Sequence, residues 1–439
     1  MSNKIQLTLK NININYFNIL YALIMPSFVL GQFYFKLVFI IIIISGIIRF
    51  KLKIFNFSKN YVNLFFIITL IYFSLNVLFV SGLYYVISLR FIFFILLLIF
   101  YFVTNFLLLN NYIHWNKIFS FNIIIFLFIY FDTLIQIIFL KDLFGYTHYE
   151  GYGRFSGPFG DEFILGAFMS YYLIATILIY FKSINKNKFT TPLVFLFFIM
   201  SIYIAIKTGE RIAFLTIILQ IFLIPIIFQK INKAKFIILS LISIMIVGLF
   251  IATDKKVKKK YEHFYLLVLD YNSQYTDKAK NKTNINSIGF LNTQTGAHFL
   301  TGIEIWKNYP ILGVGIKNFR KESSKEKYST IISHQAKFRN TTHPHNYQIE
   351  LLSETGIVGF ALFNILFLLI FINIFKQKFT NKKNDYFLDI FLIVIISKYF
   401  PFKSDASLFS SSMGLLFWMF VIFLLSSYNK LLISYNKVD

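Results

Sequence analysis

Long apolar runs separated by short basic or turn-forming stretches set the pattern of this chain. Tyr61 to Val80, Phe91 to Leu109, Asn122 to Leu140, Ile212 to Phe228 and Ile357 to Phe375 carry almost no charge. Each is about as long as the roughly 18–20 residues a helix needs to cross a ~30 Å hydrocarbon core. The pattern predicts about twelve spans, at 15–31, 34–50, 61–80, 87–109, 118–140, 162–181, 190–207, 211–229, 236–252, 348–375, 385–401 and 408–428. Strand alternation of the outer-membrane-barrel type is absent. The expected class is an all-α polytopic membrane protein.

The polar positions between the runs give the orientation. Arg49, Lys51, Lys53 and Lys59 fall in one loop, and Lys182, Lys186 and Lys188 in another. Lys230, Lys233 and Lys235 follow the eighth run, and Lys376, Lys378, Lys382 and Lys383 the tenth. With twelve spans these loops share one side, which the positive-inside rule makes cytoplasmic. The alternate connections, including the segment 253–347, then face the periplasm. The basic run Lys255 to Lys260 sits on that outer side, which long loops tolerate because they translocate largely regardless of charge. The first apolar run has no small-residue cleavage site, so no cleavable signal peptide is expected.

Composition sharpens this picture. Of 439 residues, 57% are hydrophobic and 14% charged, against about a quarter charged in soluble domains. The net charge of +24 is read as topology-setting lysine in loops, so no nucleic-acid partner is expected. The lack of cysteine excludes disulfides and thiolate chemistry. The expected organisation is amino-terminal spans over 1–150, a core over 151–375 that includes the loop 253–347, and carboxy-terminal spans over 376–439. Within the loop, Lys278 to Asn286 reads as flexible, and His298 to Asn308 has helical spacing with Phe299, Ile303 and Trp306 on one face. Pro310 to Gly315 reads as a turn.

The residues able to carry chemistry gather on the outer side. His343-Pro344-His345-Asn346 comes first: Pro344 disfavours helix at His343, and Asn346 is a good N-cap for the helix that follows. An unperturbed imidazole titrates near pH 6.5 and can act as a general base. Glu350 and Glu354 lie at i, i+4 on the next helix with Tyr347 on their face, placed to orient a histidine or simply to suit the helix dipole. Gly356 and Gly359 would allow close helix contact. Arg211 follows the turn Thr208-Gly209-Glu210, Arg154 precedes the sixth run, and Arg90 opens the fourth. An arginine at a span edge either snorkels or offers its planar fork to phosphate. His343 and His345 alone are too few ligands for zinc. No metal or other cofactor is expected, and no Gly-rich phosphate loop is present.

Thr342 to Asn346, followed by Leu351 to Gly356 and Gly359, resembles the signature of the O-antigen ligase and O-antigen polymerase superfamily. Trp306, Pro310, Gly313-Val314-Gly315, Phe319, the Gly209-Glu210-Arg211 turn and the stretch Arg154 to Gly166 reinforce it. These are bacterial inner-membrane glycosyltransferases that use undecaprenyl-diphosphate-linked glycans. The resemblance implies a periplasmic active site in which His343 activates an acceptor hydroxyl and Arg211 binds the lipid diphosphate. The family often carries a second arginine in the long loop, ahead of the Trp-x-x-x-Pro stretch. Here His298 stands nearest that place and Arg320 lies further on. Arg154 and Arg90 are further diphosphate candidates, with His345, Asn346, Glu350 and Glu354 in support. The acceptor is expected to be lipid A-core, for a ligase, or a second lipid-linked glycan, for a polymerase. Protein O-glycosylation within the same superfamily and a transporter or flippase are the alternatives. A transporter would show internal repeats or ionisable groups buried mid-span, and neither is legible in the sequence.

Overall fold

The structure is a computed structural model that describes residues 13–55, 60–82, 90–147, 154–183, 190–228, 233–253, 258–259, 262, 289–333, 335–381, 385–401 and 403–435. Among these residues no strand forms beyond isolated bridges such as Lys141 with Thr147, so the all-α class holds. The stretch Lys278 to Asn286 lies outside the described residues.

The bundle helices are α1 (Asn13–Leu30), α2 (Gln32–Phe50), α3 (Tyr61–Phe79), α4 (Arg90–Leu109), α5 (Trp115–Phe139), α6 (Leu165–Ser183), α7 (Thr190–Lys207), α8 (Arg211–Ile227) and α9 (Lys233–Thr253). The loop supplies α10 (Gln294–Asn308) and α11 (Phe319–Ser323), and α12 (Tyr347–Asn381), α13 (Tyr386–Tyr399) and α14 (Ser412–Tyr435) complete the chain. Among the described residues six helices are long and apolar enough to cross a membrane: α1, α3, α4, α5, α12 over Tyr347–Phe379, and α14 over Ser412–Ile433. Shorter apolar helices occupy Leu165–Ile179, Phe195–Lys207, Arg211–Ile227 and Phe236–Ile246.

Helix α14 is the pillar of the bundle. Its apolar stretch is 78% buried, against 39% for α12. Phe417, Trp418 and Phe420 pack against rings from α3, α6, α12 and α13. Its far end is fixed by amides: Asn429 exchanges hydrogen bonds with Asn60, Asn63 and Asn105. Away from water such groups must find each other, because an unmade hydrogen bond costs more there. At the same end Lys378 of α12 pairs with Asp389 of α13 at 2.6 Å, both buried, and Lys378 also donates to Ile227 O of α8. The described lysines of the basic connections, Lys51, Lys53, Lys233, Lys376 and Lys378, belong to helix ends on this side.

At the opposite end the loop is stitched into α12. The helix leaves helical geometry at Gly356, with φ +63°. Such a break strands backbone groups that need partners. The Pro310–Gly315 turn supplies them: Ile357 N donates to Pro310 O, Val314 N to Ser353 O and Gly315 N to Glu354 O, at 2.8 to 3.0 Å. Tyr72 of α3 donates its hydroxyl to Thr355 O. Gly356 thus serves a backbone docking with the loop, not close approach of a neighbouring helix, whereas Gly359 does lie against Tyr72 of α3.

Behind the turn Ile305, Phe319 and Tyr328 form a small core with Tyr309 and Val314. Helix α10 packs on the start of α12 through His298, Thr301, Gly302 and Ile305. Phe299, Ile303 and Trp306, which share a face of this helix, are half-buried. Gly302 lets Ile349 and Pro344 press directly on the helix backbone.

Replacing Gly356 by Ala puts a Cβ in the left-handed region and against the Ile311 carbonyl. The expected loss is about 1–3 kcal/mol, read as a lower thermal midpoint of the protein in nanodiscs. An unchanged midpoint would show that the break is not held by the docked turn.

Candidate functional site

The His343–Asn346 turn sits over the start of α12. Asn346 caps the helix as expected: its side-chain oxygen accepts from Ile349 N at 3.0 Å. Its amide nitrogen donates to Pro401 O and Lys403 O, at 2.6 and 2.9 Å. His345 takes a positive φ of 58°, and its carbonyl accepts from Asp405 N at 2.8 Å. The turn is therefore held on one side by its own helix and on the other by the segment between α13 and α14.

Three imidazoles form a column. The His345 ring lies 4.2 Å from that of His343 and 5.1 Å from that of His298, centroid to centroid. His298 is anchored through Nε2 to Phe338 O at 2.9 Å. His343 Nδ1 hydrogen-bonds Thr342 Oγ1 at 2.8 Å, while its Nε2 is buried and has no hydrogen-bond partner. Burial pushes His343 down to about 3, and His345, Lys317 and His298 act the same way against a backbone contact from Asp405. Burial likewise pushes His345 down to about 4, with His298 adding to it. Both rings are neutral at physiological pH.

Beside Thr342 opens a cleft of about 480 Å³ lined by Arg90, Lys317, Arg320, Lys321, Ser324, Asn340 and Thr342. Arg90 opens α4, while Arg320 and Lys321 stand on α11, just past the docked turn. Lys317, at φ 71°, is half-buried, and burial lowers its pKa while Glu354 and Glu350 hold it up. Both arginines were candidates from sequence; Lys317 and Lys321 were not. The missed signal is the Gly313-x-Gly315-x-Lys317 spacing, in which paired glycines bring a turn, and the lysine after it, against the bundle.

Glu350 and Glu354 do not reach the histidines directly. Glu350 accepts from Leu408 N at 2.7 Å and from the Ser407 hydroxyl. Glu354 accepts from Phe319 N at 3.2 Å. They tie α12 to the α13–α14 connection and to α11, and so shape the surroundings of the turn and the cleft.

Arg211 and Arg154 lie in a different cluster, at the starts of α8 and α6. Glu210, just before Arg211, accepts from Gly166 N and Ala167 N at 2.9 and 3.0 Å, which caps α6. Burial pushes the Glu210 carboxyl up to about 7 against those amides and the charges of Arg154 and Lys398. The Arg154 guanidinium stands 5.8 Å from the Phe163 ring centroid. The structure thus brings Arg90 and Arg320 together in the cleft that Thr342 lines, stacks His298 on His345, and leaves Arg211 and Arg154 out of the cleft lining.

Residues 195–364 match the family model described as O-antigen ligase. The matched stretch holds Arg211, the described part of the loop, the His343 turn and the break at Gly356. Over that stretch the chain is similar to the O-antigen ligase family, in line with the resemblance carried by its motifs. That family comprises glycosyltransferase-type ligases and polymerases acting on lipid-linked glycans. No curated protein matches the chain.

Four cationic side chains around one cleft favour an anion there. Inorganic pyrophosphate is expected to bind the protein in nanodiscs, more weakly as salt rises. Arg320→Ala or Lys317→Met should each weaken binding by roughly tenfold or more. Equal binding by these variants and the parent would remove the cleft as the anion site.

Proposed function

We propose that the protein is a glycosyltransferase of the bacterial inner membrane that moves a glycan from undecaprenyl diphosphate to an acceptor hydroxyl. The reading includes about twelve spans and a catalytic end facing the periplasm. The grouping of basic helix ends at the pole opposite His343 supports that orientation. The observation that carries the function is one atom and its surroundings: His343 Nε2, buried without a partner, on the residue that follows Thr342 in the wall of a cleft of cations.

The chemistry follows from charge. A polyprenyl diphosphate is a good leaving group if its developing charge is met by fixed cations. Arg90, Lys317, Arg320 and Lys321 are placed to meet it. With Nδ1–H donated to Thr342, His343 Nε2 keeps its lone pair for the acceptor proton. In the free protein Lys317 opposes a charge on His343. A bound diphosphate cancels that opposition, so the imidazole becomes more basic once substrate is present. Arg211 and Arg154, across the histidine turn, are assigned to a second stretch of the lipid-linked substrate. Neither step calls for a metal. Direct attack at the anomeric carbon inverts its configuration.

The preferred acceptor is lipid A-core, which makes the protein ligase-type. The deciding experiment is transfer by purified protein, given lipid-linked glycan alone, with lipid A-core, or with a peptide. Product in the first arm alone would assign a polymerase, and product on peptide a protein glycosyltransferase. His343→Ala is expected to lower transfer by about 10²–10⁴-fold at normal protein level. Full transfer by that variant, or a product with retained configuration, would overturn the mechanism.

The pH profile separates the two states of His343. Its protonation removes the base, so activity is lost as pH falls. The acid limb of kcat/KM, which reports the free protein, should lie well below pH 6.5. The limb of kcat, which reports the substrate complex, should lie higher. Coincident limbs near pH 6.5 would mean that another group titrates.

A further inference from the structure

Outside the stretch that matches the family, the connection between α13 and α14 carries a line of charge that ends on the catalytic turn. Lys398, on the last turn of α13, is buried. Its ammonium donates to Ser170 Oγ at 2.5 Å and Ala167 O at 3.3 Å, both on α6, and lies 4.1 Å from the Tyr171 ring centroid. Ala167 N is also one of the two amides that hold Glu210, the neighbour of Arg211. Glu210, Asp405 and Lys403 all act electrostatically on Lys398. Asp405 pairs with Lys403, and its backbone N–H donates to His345 O. The same segment gives Pro401 O and Lys403 O to Asn346, and Ser407 and Leu408 to Glu350.

Contacts run from Glu210 through α6 to Lys398 and from Lys403 through Asp405 to His345, and the charges of Lys398 and Asp405 act on each other between them. A cation and a carboxylate buried near each other are weak evidence for stability, because their desolvation offsets most of their attraction. What such a pair does supply is a defined geometry. We infer that Lys398 and Asp405 are positioning residues that hold the His343–His345 turn at a fixed place relative to the α6–α8 end of the site. Neither is assigned to touch substrate. Asp405 fixes the turn through its own backbone, whose path its carboxylate sets by pairing with Lys403. Lys398 fixes that connection to α6. A displacement of His343 of about an ångström is enough to lower a rate by roughly a hundredfold.

The inference rests on the proposed glycosyl transfer for its kinetic arm and stands on a second arm that does not. In the kinetic arm, Asp405→Asn and Lys398→Met in nanodiscs are expected to lower kcat roughly 10- to 100-fold. KM and pyrophosphate binding at the Arg90–Arg320 cleft should stay close to the parent values. Lys398→Arg should restore most of the rate. In the second arm, carbethoxylation of His343 by diethyl pyrocarbonate is followed by mass spectrometry, with His114 at the far end of the bundle as reference. Loosening the turn should raise the His343 rate several-fold in Asp405→Asn and leave His114 unchanged.

Parent-like kcat and parent-like His343 reactivity in both variants would overturn the inference. So would a joint fall of thermal midpoint, pyrophosphate binding and kcat, which marks a general structural role. If the parent protein itself transfers nothing in any acceptor arm, the glycosyl-transfer reading fails. The His343 reactivity then decides the positioning claim alone.

Discussion

Everything at the candidate site depends on the break in α12 at Gly356. A continuous helix would keep its own carbonyls and amides paired and offer the loop nothing to hold. The break frees Ser353 O, Glu354 O and the Ile357 amide, and the Pro310–Gly315 turn occupies them. Because these partners are backbone groups, the docking is indifferent to side-chain mobility. Two residues past the turn stands Lys317, and three further on Arg320. The loop's cations therefore reach the His343 end of the bundle as a consequence of one backbone break. Ser81 and Asn76 of the α3 end complete the seat by bonding Ile316.

The histidine turn is built on a complementary principle. It stands on a helix start, where the Asn346 cap fixes its lower end, and it is closed from above by backbone groups of Pro401, Lys403 and Asp405. Confinement on both sides explains how His345 is kept at positive φ, a state that costs a non-glycine residue about 1–3 kcal/mol. It also explains why three imidazoles can stack. Stacked neutral rings in a half-buried column are favourable where charged ones would repel. The outcome is a column of neutral imidazoles held in place over the start of α12.

Much of this was legible in the sequence for identifiable reasons. The apolar runs fixed helix positions because hydrocarbon thickness imposes a length. The Thr342–Asn346 motif was legible because proline and an N-cap residue restrict the chain locally. Arg90 and Arg320 could be named because a cation at a helix edge near a histidine is chemically distinctive. Lys317 and Lys321 could not, since loop lysines are common and their value comes only from a turn docked on a segment some forty residues away. The packing of α10 on the start of α12 is illegible for a related reason. Its partner is the backbone side of Gly302, and a missing side chain leaves no trace in a hydrophobic pattern.

Lys398, Asp405 and Ser407 show where sequence reasoning runs out most clearly. Lys398 sits at the end of an apolar run, where a lysine reads as a snorkelling cation, yet its ammonium turns inward to Ser170. The preference is set by geometry: Ser170, Ala167 O and the Tyr171 ring form a ready polar seat on α6, and Asp405 lies close enough to offset the charge. In the connection that follows, Asp405 pairs with Lys403, its amide meets His345 O, and Leu408 N reaches Glu350. Backbone groups of that connection form the roof over the histidine turn. The roof lies beyond residues 195–364, so the histidine turn falls inside the stretch that matches the family while its confinement comes from the connection between the last two helices.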